Sequence, residues 1–218
     1  MRDGVVSLPS LRIFDLNLVG SKILAEMQGA TFKELGQEHS KFLDSLELDK
    51  YLTPKLHVLA CDNFGYAGDV GDLYHVARKV EAGNRKERYR AHFDSHLFTL
   101  VLPIKIPESE TRGSAGELIY FTSARKRPKT ELGNLVSKVL FKRYASEKGI
   151  EALSLVKKKQ VNDFRDYCPL IFIGDTTLHT NYPVSGSCLN PRLTLLAHFF
   201  DPSPKYGIGA ILRRIRKR

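Results

Sequence analysis

Three residues in this chain have the types and spacing that metal chemistry needs. His92 and Asp94 lie in the stretch RYRAHFDSH (88–96), and His179 lies far downstream in TLHTNYPV. On a β-strand, residues two apart point to the same face, so His92 and Asp94 can grip one ion from one edge while His179 arrives from a distant strand. Two imidazoles and one carboxylate cover one face of an octahedral shell and leave the rest open, the ligand set that suits non-haem iron(II). The same trio can hold zinc with an open position, so a zinc-dependent hydrolase is a second reading. His96 would add a third ligand in a row, but three same-face strand positions span too far to converge on one ion without a bend. A place behind the ligands, or against a substrate, suits it better.

Thirteen residues after His179, Arg192 opens RLTLLAHFF, with Thr194 and Leu196 sharing its face of a predicted strand. A forked cation with a hydroxyl beside it is a natural pair for binding a carboxylate at the blind end of a barrel. His198 has the same parity and either lines that pocket or is a satisfied core histidine.

These side chains need elements to position them. From Ser21 to about Leu48, apolar residues fall at helical spacing (Ile23, Leu24 and Met27, then Phe32 and Leu35, then Phe42, Leu43 and Leu46), which predicts one or two helices. Between Tyr51 and Tyr66, the alternation of Leu56, Val58 and Ala60 predicts a short strand ending at the Asp62-Asn63 turn pair. HFDSHLFTLVLPIKI reads as strand up to Pro107, and GELIYF (116–121) as another. The basic run RKRPK then opens an insertion whose Leu132, Leu135, Val136, Val139, Leu140 and Tyr144 share one helical face. This helix is expected to pack on the sheet edge with its lysines in water. Strands return at Leu170 to Ile173, at Leu178-His179 and at Arg192 to Phe200. The tail KYGIGAILRRIRKR is basic, with Ile208, Ile211, Leu212 and Ile215 at helical spacing, and reads as a solvated terminus or a membrane-surface helix.

The bulk properties narrow the class. A chain of 218 residues fits one domain, and an apolar fraction of 42% argues against disorder. No run is long enough to cross a bilayer and the N-terminal stretch lacks an apolar signal core, so a cytoplasmic, soluble protein is expected. Cys61, Cys168 and Cys188 match neither a zinc framework nor a disulfide set. The net charge of +10 favours anionic partners. A nucleic-acid or acidic-surface binding module using 125–129, 157–159 and 213–218 is therefore the rival to an enzyme, although those clusters lack interleaved aromatics to stack on bases.

Taken together, Tyr89-x-x-His92-x-Asp94, Gly116-Glu117-Leu118 opening a strand, Gly174 and His179 ahead of Pro183-Val184, and Arg192-x-Thr194 resemble the Fe(II)- and 2-oxoglutarate-dependent oxygenases. The layout is most similar to the prolyl 4-hydroxylase-like branch, over roughly residues 88–201. The resemblance implies a mainly β protein with flanking helices around a double-stranded β-helix (jelly-roll) core. It implies His92, Asp94 and His179 as iron ligands, Arg192 and Thr194 on the distal carboxylate of 2-oxoglutarate, and Tyr89 donating its phenol to the same co-substrate. Fe(II), 2-oxoglutarate and O2 would be required, with ascorbate a candidate reductant, and hydroxylation with release of succinate and CO2 is the default outcome. On this reading, 1–50 is helical support, 51–123 and 165–201 the β core, 124–164 the basic helical insertion and 202–218 the basic tail, all within one domain. The insertion and the charge point away from a neutral peptide and toward an anionic small molecule or conjugate, with Arg90, Lys105, Arg125 or Arg127 as anchors near the mouth.

Overall fold

The computed structural model describes residues 4–10, 16–27, 30–34, 48–84, 87–109, 111–128 and 130–202. In chain order these form β1 (Val5–Ser7), α1 (Leu16–Met27), β2 (Phe32–Glu34), α2 (Leu48–Phe64), β3 (Leu73–Val80), β4 (Phe98–Lys105), β5 (Leu118–Phe121), α3 (Glu131–Phe141), a 3-10 turn (Lys142–Tyr144), α4 (Glu147–Ser154), β6 (Gln160–Asn162), β7 (Leu170–Ile173), β8 (Leu178–Asn181) and β9 (Arg192–Phe199). A six-stranded sheet runs in the order β1-β7-β4-β9-β3-β2, and a three-stranded sheet in the order β6-β5-β8. Every pairing is antiparallel. Two antiparallel sheets joined by crossing connections form the jelly-roll core expected for this chain.

The alternation of β9 decides what each face does. Leu193, Leu195 and Ala197 turn outward with Ala77, Leu100 and Leu102, where α1 covers them with Ile23 and Met27 and α2 with Leu52, Leu56 and Ala60. Thr194, Leu196 and His198 turn inward, opposite Arg78, Val76 and Tyr74 of β3. Between the sheets, Val101, Leu170 and Phe172 meet Leu118 and Tyr120 of the smaller sheet, with Phe164 closing the layer. Burying each large apolar side chain in such a layer stabilises the fold by about 1.5–3 kcal/mol.

Three expectations are corrected here. The stretch 51–64 is helix: Leu52, Leu56 and Ala60, four apart, are its buried apolar positions, while Val58 is exposed. The first fifty residues are not only helical, because β1 and β2 extend the two edges of the larger sheet. The apolar face of α3 does not pack on the sheet; its Leu132, Leu135, Val136, Val139 and Leu140 are exposed. Leu35, Phe42, Leu43, Leu46 and the tail from residue 203 lie outside the described residues.

Candidate metal centre and anion pocket

The backbone sets the two histidines side by side. His92 N donates to His179 O and His179 N to His92 O, both at 3.1 Å, in an isolated antiparallel bridge. The predicted regular strand through His92 is absent: His92 sits at this single bridge in an otherwise irregular stretch leading to β4. Asp94 is held by its own N–H, which donates to Gly174 O at 3.1 Å. A Cβ on Gly174 would lie 2.8 Å from His96 O, 2.9 Å from Thr99 Oγ1 and 3.0 Å from Asp94 Cβ, so only glycine permits this close approach.

The ring orientations follow from hydrogen bonds to carbonyls, which can only accept. His92 Nδ1 therefore donates to Arg90 O (2.8 Å), and His179 Nδ1 to Thr177 O (3.3 Å). Both Nε2 lone pairs are left facing Asp94, at 3.6 Å from Oδ1 and 3.7 Å from Oδ2. These separations are too long for hydrogen bonds. They are near what one ion, bonded at roughly 2.1 Å to each ligand, imposes on its neighbours. One donor atom from each of the three residues lies within 4.8 Å of the others. Two imidazole lone pairs turned on a carboxylate repel one another unless a cation sits among them, so the donor set fits a divalent metal.

Electrostatics keep His92 and Asp94 in their ligating forms. Desolvation works against the Asp94 charge, but His179, His198, His92 and the Thr99 hydroxyl outweigh it and hold the carboxyl well below its ordinary range. Desolvation and then the neighbouring His179 hold the His92 imidazole far below its usual value. With solvent reaching 43% of the His92 side chain and the two rings 4.3 Å apart, the His179 ring is the firmer of these causes. Asp94 and His179 are buried, so the centre opens to solvent on the His92 side.

Behind Asp94 stands a support that the sequence reading missed. Thr99 Oγ1 donates to Asp94 Oδ2 at 2.5 Å and lies 3.2 Å from His198 Nδ1, which must then be the donor to it. His198 stacks on Tyr74, and His96 packs against both rings. His96 and His198 thus lie behind the metal set. Thr99 could have been found as the hydroxyl five residues after Asp94 in an otherwise apolar strand.

Arg192 lies on the inward face of β9 with His198, six residues before it. It is 3% exposed, and its Nε has no hydrogen-bond partner among the described residues. Burial, and then the like charge of Arg78, push its pKa down to about 9, with Glu117 only partly offsetting them. The Glu117 carboxylate is itself occupied by the N–H groups of Gly113 (2.6 Å) and Ala115 (3.1 Å). Gly116 has φ +74°, and a Cβ there would lie 2.9 Å from Arg192 Cδ and 2.8 Å from Val184 Cγ2. Both its conformation and its contacts require glycine. Thr194, 1% exposed, sits in register between Arg78 and Pro103. Arg78 was also missed: it stands beside Lys79 in β3 and meets Glu87 at 3.5 Å, as a buried cation requires.

The structure does not bring Tyr89 to this pocket. Its ring belongs to the outer cluster with Phe93, Ile119, Phe121 and Leu178, edge-on to Tyr182. Burial and then Glu147, the first residue of α4, raise its pKa to about 12. The buried tyrosine that does face the barrel interior is Tyr120, in register with His179. Of the candidate anchors, Arg90 pairs with Glu87 (2.8 Å), Arg127 pairs with Asp175, and Lys105 ends β4. Arg125 donates to Asp175 O and stacks at 4.0 Å on Phe93, the residue between His92 and Asp94. Its two terminal nitrogens are buried without partners among the described residues.

No protein-family model matches the chain, and no curated protein sequence matches it. Solved structures do. A prolyl 4-hydroxylase from Pseudomonas putida superposes with a TM-score of 0.52 at 12% identity, over 91% of this chain and 92% of that one. The non-haem α-ketoglutarate-dependent epimerase SnoN from nogalamycin biosynthesis gives 0.53 at 13% identity, over 92% and 79%. A prolyl 4-hydroxylase from Phytophthora capsici gives 0.53 at 13% identity, over 99% and 69%. At these identities the likeness carries the fold: the chain shares the architecture of these enzymes across nearly its whole described length.

Proposed function

We propose that this chain is an Fe(II)- and 2-oxoglutarate-dependent oxygenase that hydroxylates an anionic small molecule or conjugate. The observation that carries the reading is the pairing of two unmet charges inside one barrel. At one end, His92, Asp94 and His179 aim their donors at the place of a cation. At the other, Arg192 is buried with no hydrogen-bond partner at Nε among the described residues, and Glu117, which offsets its charge only in part, is held by backbone N–H groups. 2-Oxoglutarate answers both, with a keto-acid end that chelates a metal and a distal carboxylate that an arginine fork can bind. A zinc hydrolase on the same three ligands leaves Arg192 without a task.

In this mechanism His92 Nε2, His179 Nε2 and an Asp94 oxygen hold the metal. Arg192 binds the distal carboxylate beside the Thr194 hydroxyl. When bound, iron(II) with 2-oxoglutarate supplies the oxidising power to hydroxylate a C–H bond, with succinate and CO2 as co-products. The chain's own residues supply orientation. Arg90 O and Thr177 O fix the imidazole tautomers, Thr99 fixes the carboxylate, and the apolar layer of Phe172, Leu196 and Tyr120 keeps water from the interior. The open His92 side is where substrate enters. Arg125, stacked on Phe93 with two unpaired donors, supports an anionic substrate and is the anchor we favour over Arg90, Lys105 and Arg127.

The test is formation of succinate from 2-oxoglutarate under air with Fe(II) and ascorbate. Turnover that disappears in His179→Ala and Asp94→Ala supports the assignment. Full turnover in both variants sinks it.

A further inference from the structure

The helix α3 is built the wrong way round for a soluble surface helix. An amphipathic helix on a globular protein turns its apolar stripe to the core. Here Asn134, Ser137, Lys138 and Phe141 face inward. Lys138 Nζ donates to Ser95 Oγ at 3.0 Å, and the Phe141 ring sits edge-on to Phe93 at 4.9 Å. The opposite face carries Leu132, Leu135, Val136, Val139 and Leu140, exposed by between 49% (Val136) and 67% (Leu132). Leu155 and Val156, just after α4, are 87% and 74% exposed.

The charge around this face points to its occupant. From Arg125 to Lys159 the sequence carries eleven Lys and Arg against three Glu, so +8 of the chain's +10 is concentrated there. Lys126, Lys142, Arg143, Lys157, Lys158 and Lys159 are exposed. A second copy of the chain would bring two such clusters face to face, and the chain's own stretch 203–218 adds six more cations and no acid. An aliphatic seam without aromatics also gives nucleic-acid bases nothing to stack on. An exposed apolar helix face among lysines and arginines is the pattern of a helix that lies in the headgroup region of an anionic bilayer.

We infer that α3 and the Leu155-Val156 tip dock this protein on an anionic lipid surface. Because Lys138 and Phe141 tie α3 to Ser95 and Phe93, docking brings the rim of the His92-Asp94 site to the lipid side. The docking does not depend on the proposed reaction and needs no metal.

The test uses the full chain with a chelator present, sedimented with phosphatidylcholine vesicles with and without phosphatidylserine. The expected result is partition to the phosphatidylserine vesicles that weakens with salt and falls roughly ten-fold or more in the Leu135→Glu, Val139→Glu double variant. The chain has no tryptophan, so Val139→Trp gives a single reporter. Its emission should shift to the blue when the anionic vesicles are added. Absence of partition overturns the inference, as does partition that the double variant leaves intact, or an unshifted Val139→Trp spectrum. A solution dimer that the double variant dissociates, without vesicle binding, assigns the face to a second copy instead and equally overturns it.

Discussion

The two ends of the barrel interior are electrostatic opposites. At the His198 end of β9, two imidazole lone pairs and a carboxylate held well below its ordinary pKa range converge on one place. At the Arg192 end, a buried guanidinium is crowded by a second one, Arg78, which Glu87 meets at 3.5 Å, and the nearby Glu117 carboxylate is tied to backbone N–H groups. Each end alone is costly, since an uncompensated buried charge or donor destabilises the fold. Under the proposed function they meet the two poles of one ligand, a cation-chelating head and an anionic tail. A barrel built only for stability would have filled the same positions with the aliphatics that line its middle.

The comparison breaks most sharply at the metal pole. Asp94→Ala should lower divalent-metal affinity by roughly 10³-fold, because it removes the only anionic donor while leaving both imidazoles in place. Isothermal titration with Fe(II) or Mn(II) checks it, and thermal unfolding should show the fold intact. At the other pole, Arg192→Met should weaken 2-oxoglutarate binding by roughly 10²-fold or more without changing metal affinity. A variant that lost both equally would show that the poles are not separate sites. Thr99→Val removes the hydroxyl that holds Asp94 Oδ2 and should cost about 10- to 100-fold in metal affinity, with Thr99→Ser recovering most of it.

A further effect concerns pH. Burial, only partly offset by Asp94, pushes the His198 pKa down to about 4, against about 6.5 in an unfolded chain. The unfolded state therefore binds the proton first, and stability falls as pH drops from about 6.5 toward 4. The loss is up to about 3 kcal/mol. It is absent above pH 7, and His198→Phe should make it shallower, the remainder belonging to His92. Denaturant titrations across that range, on metal-free protein, measure the slope.

Part of the candidate site was legible because His92 and Asp94, and Arg192 and Thr194, stand two residues apart on strand-like stretches, whereas His179 joins them only through the pairing of a distant strand. The jelly-roll core follows from short alternating strands. Three other features were harder to read for stated physical reasons. In 51–64, Leu56, Val58 and Ala60 fit a two-residue period while Leu52, Leu56 and Ala60 fit a helical one, and a short window cannot choose. Tyr89 has the spacing of a pocket residue, but its φ of +51° rotates the ring to the outer layer. For α3, periodicity identifies an apolar face but carries no information on whether that face turns toward the protein or away. Thr99 and Arg78 were overlooked because a hydroxyl or cation within a strand gains meaning only once its cross-strand neighbours are known.

The central claim, one ligand spanning both poles, is tested most directly by anaerobic titration of the Fe(II)-loaded chain with 2-oxoglutarate, following the visible charge-transfer absorption that a chelated α-keto acid gives. The account predicts a saturable band at one equivalent in the wild type. It predicts no band in His179→Ala, and in Arg192→Met the same band only at much higher 2-oxoglutarate. Absence of the band in the wild type, or a band that forms equally well without His179, would contradict it.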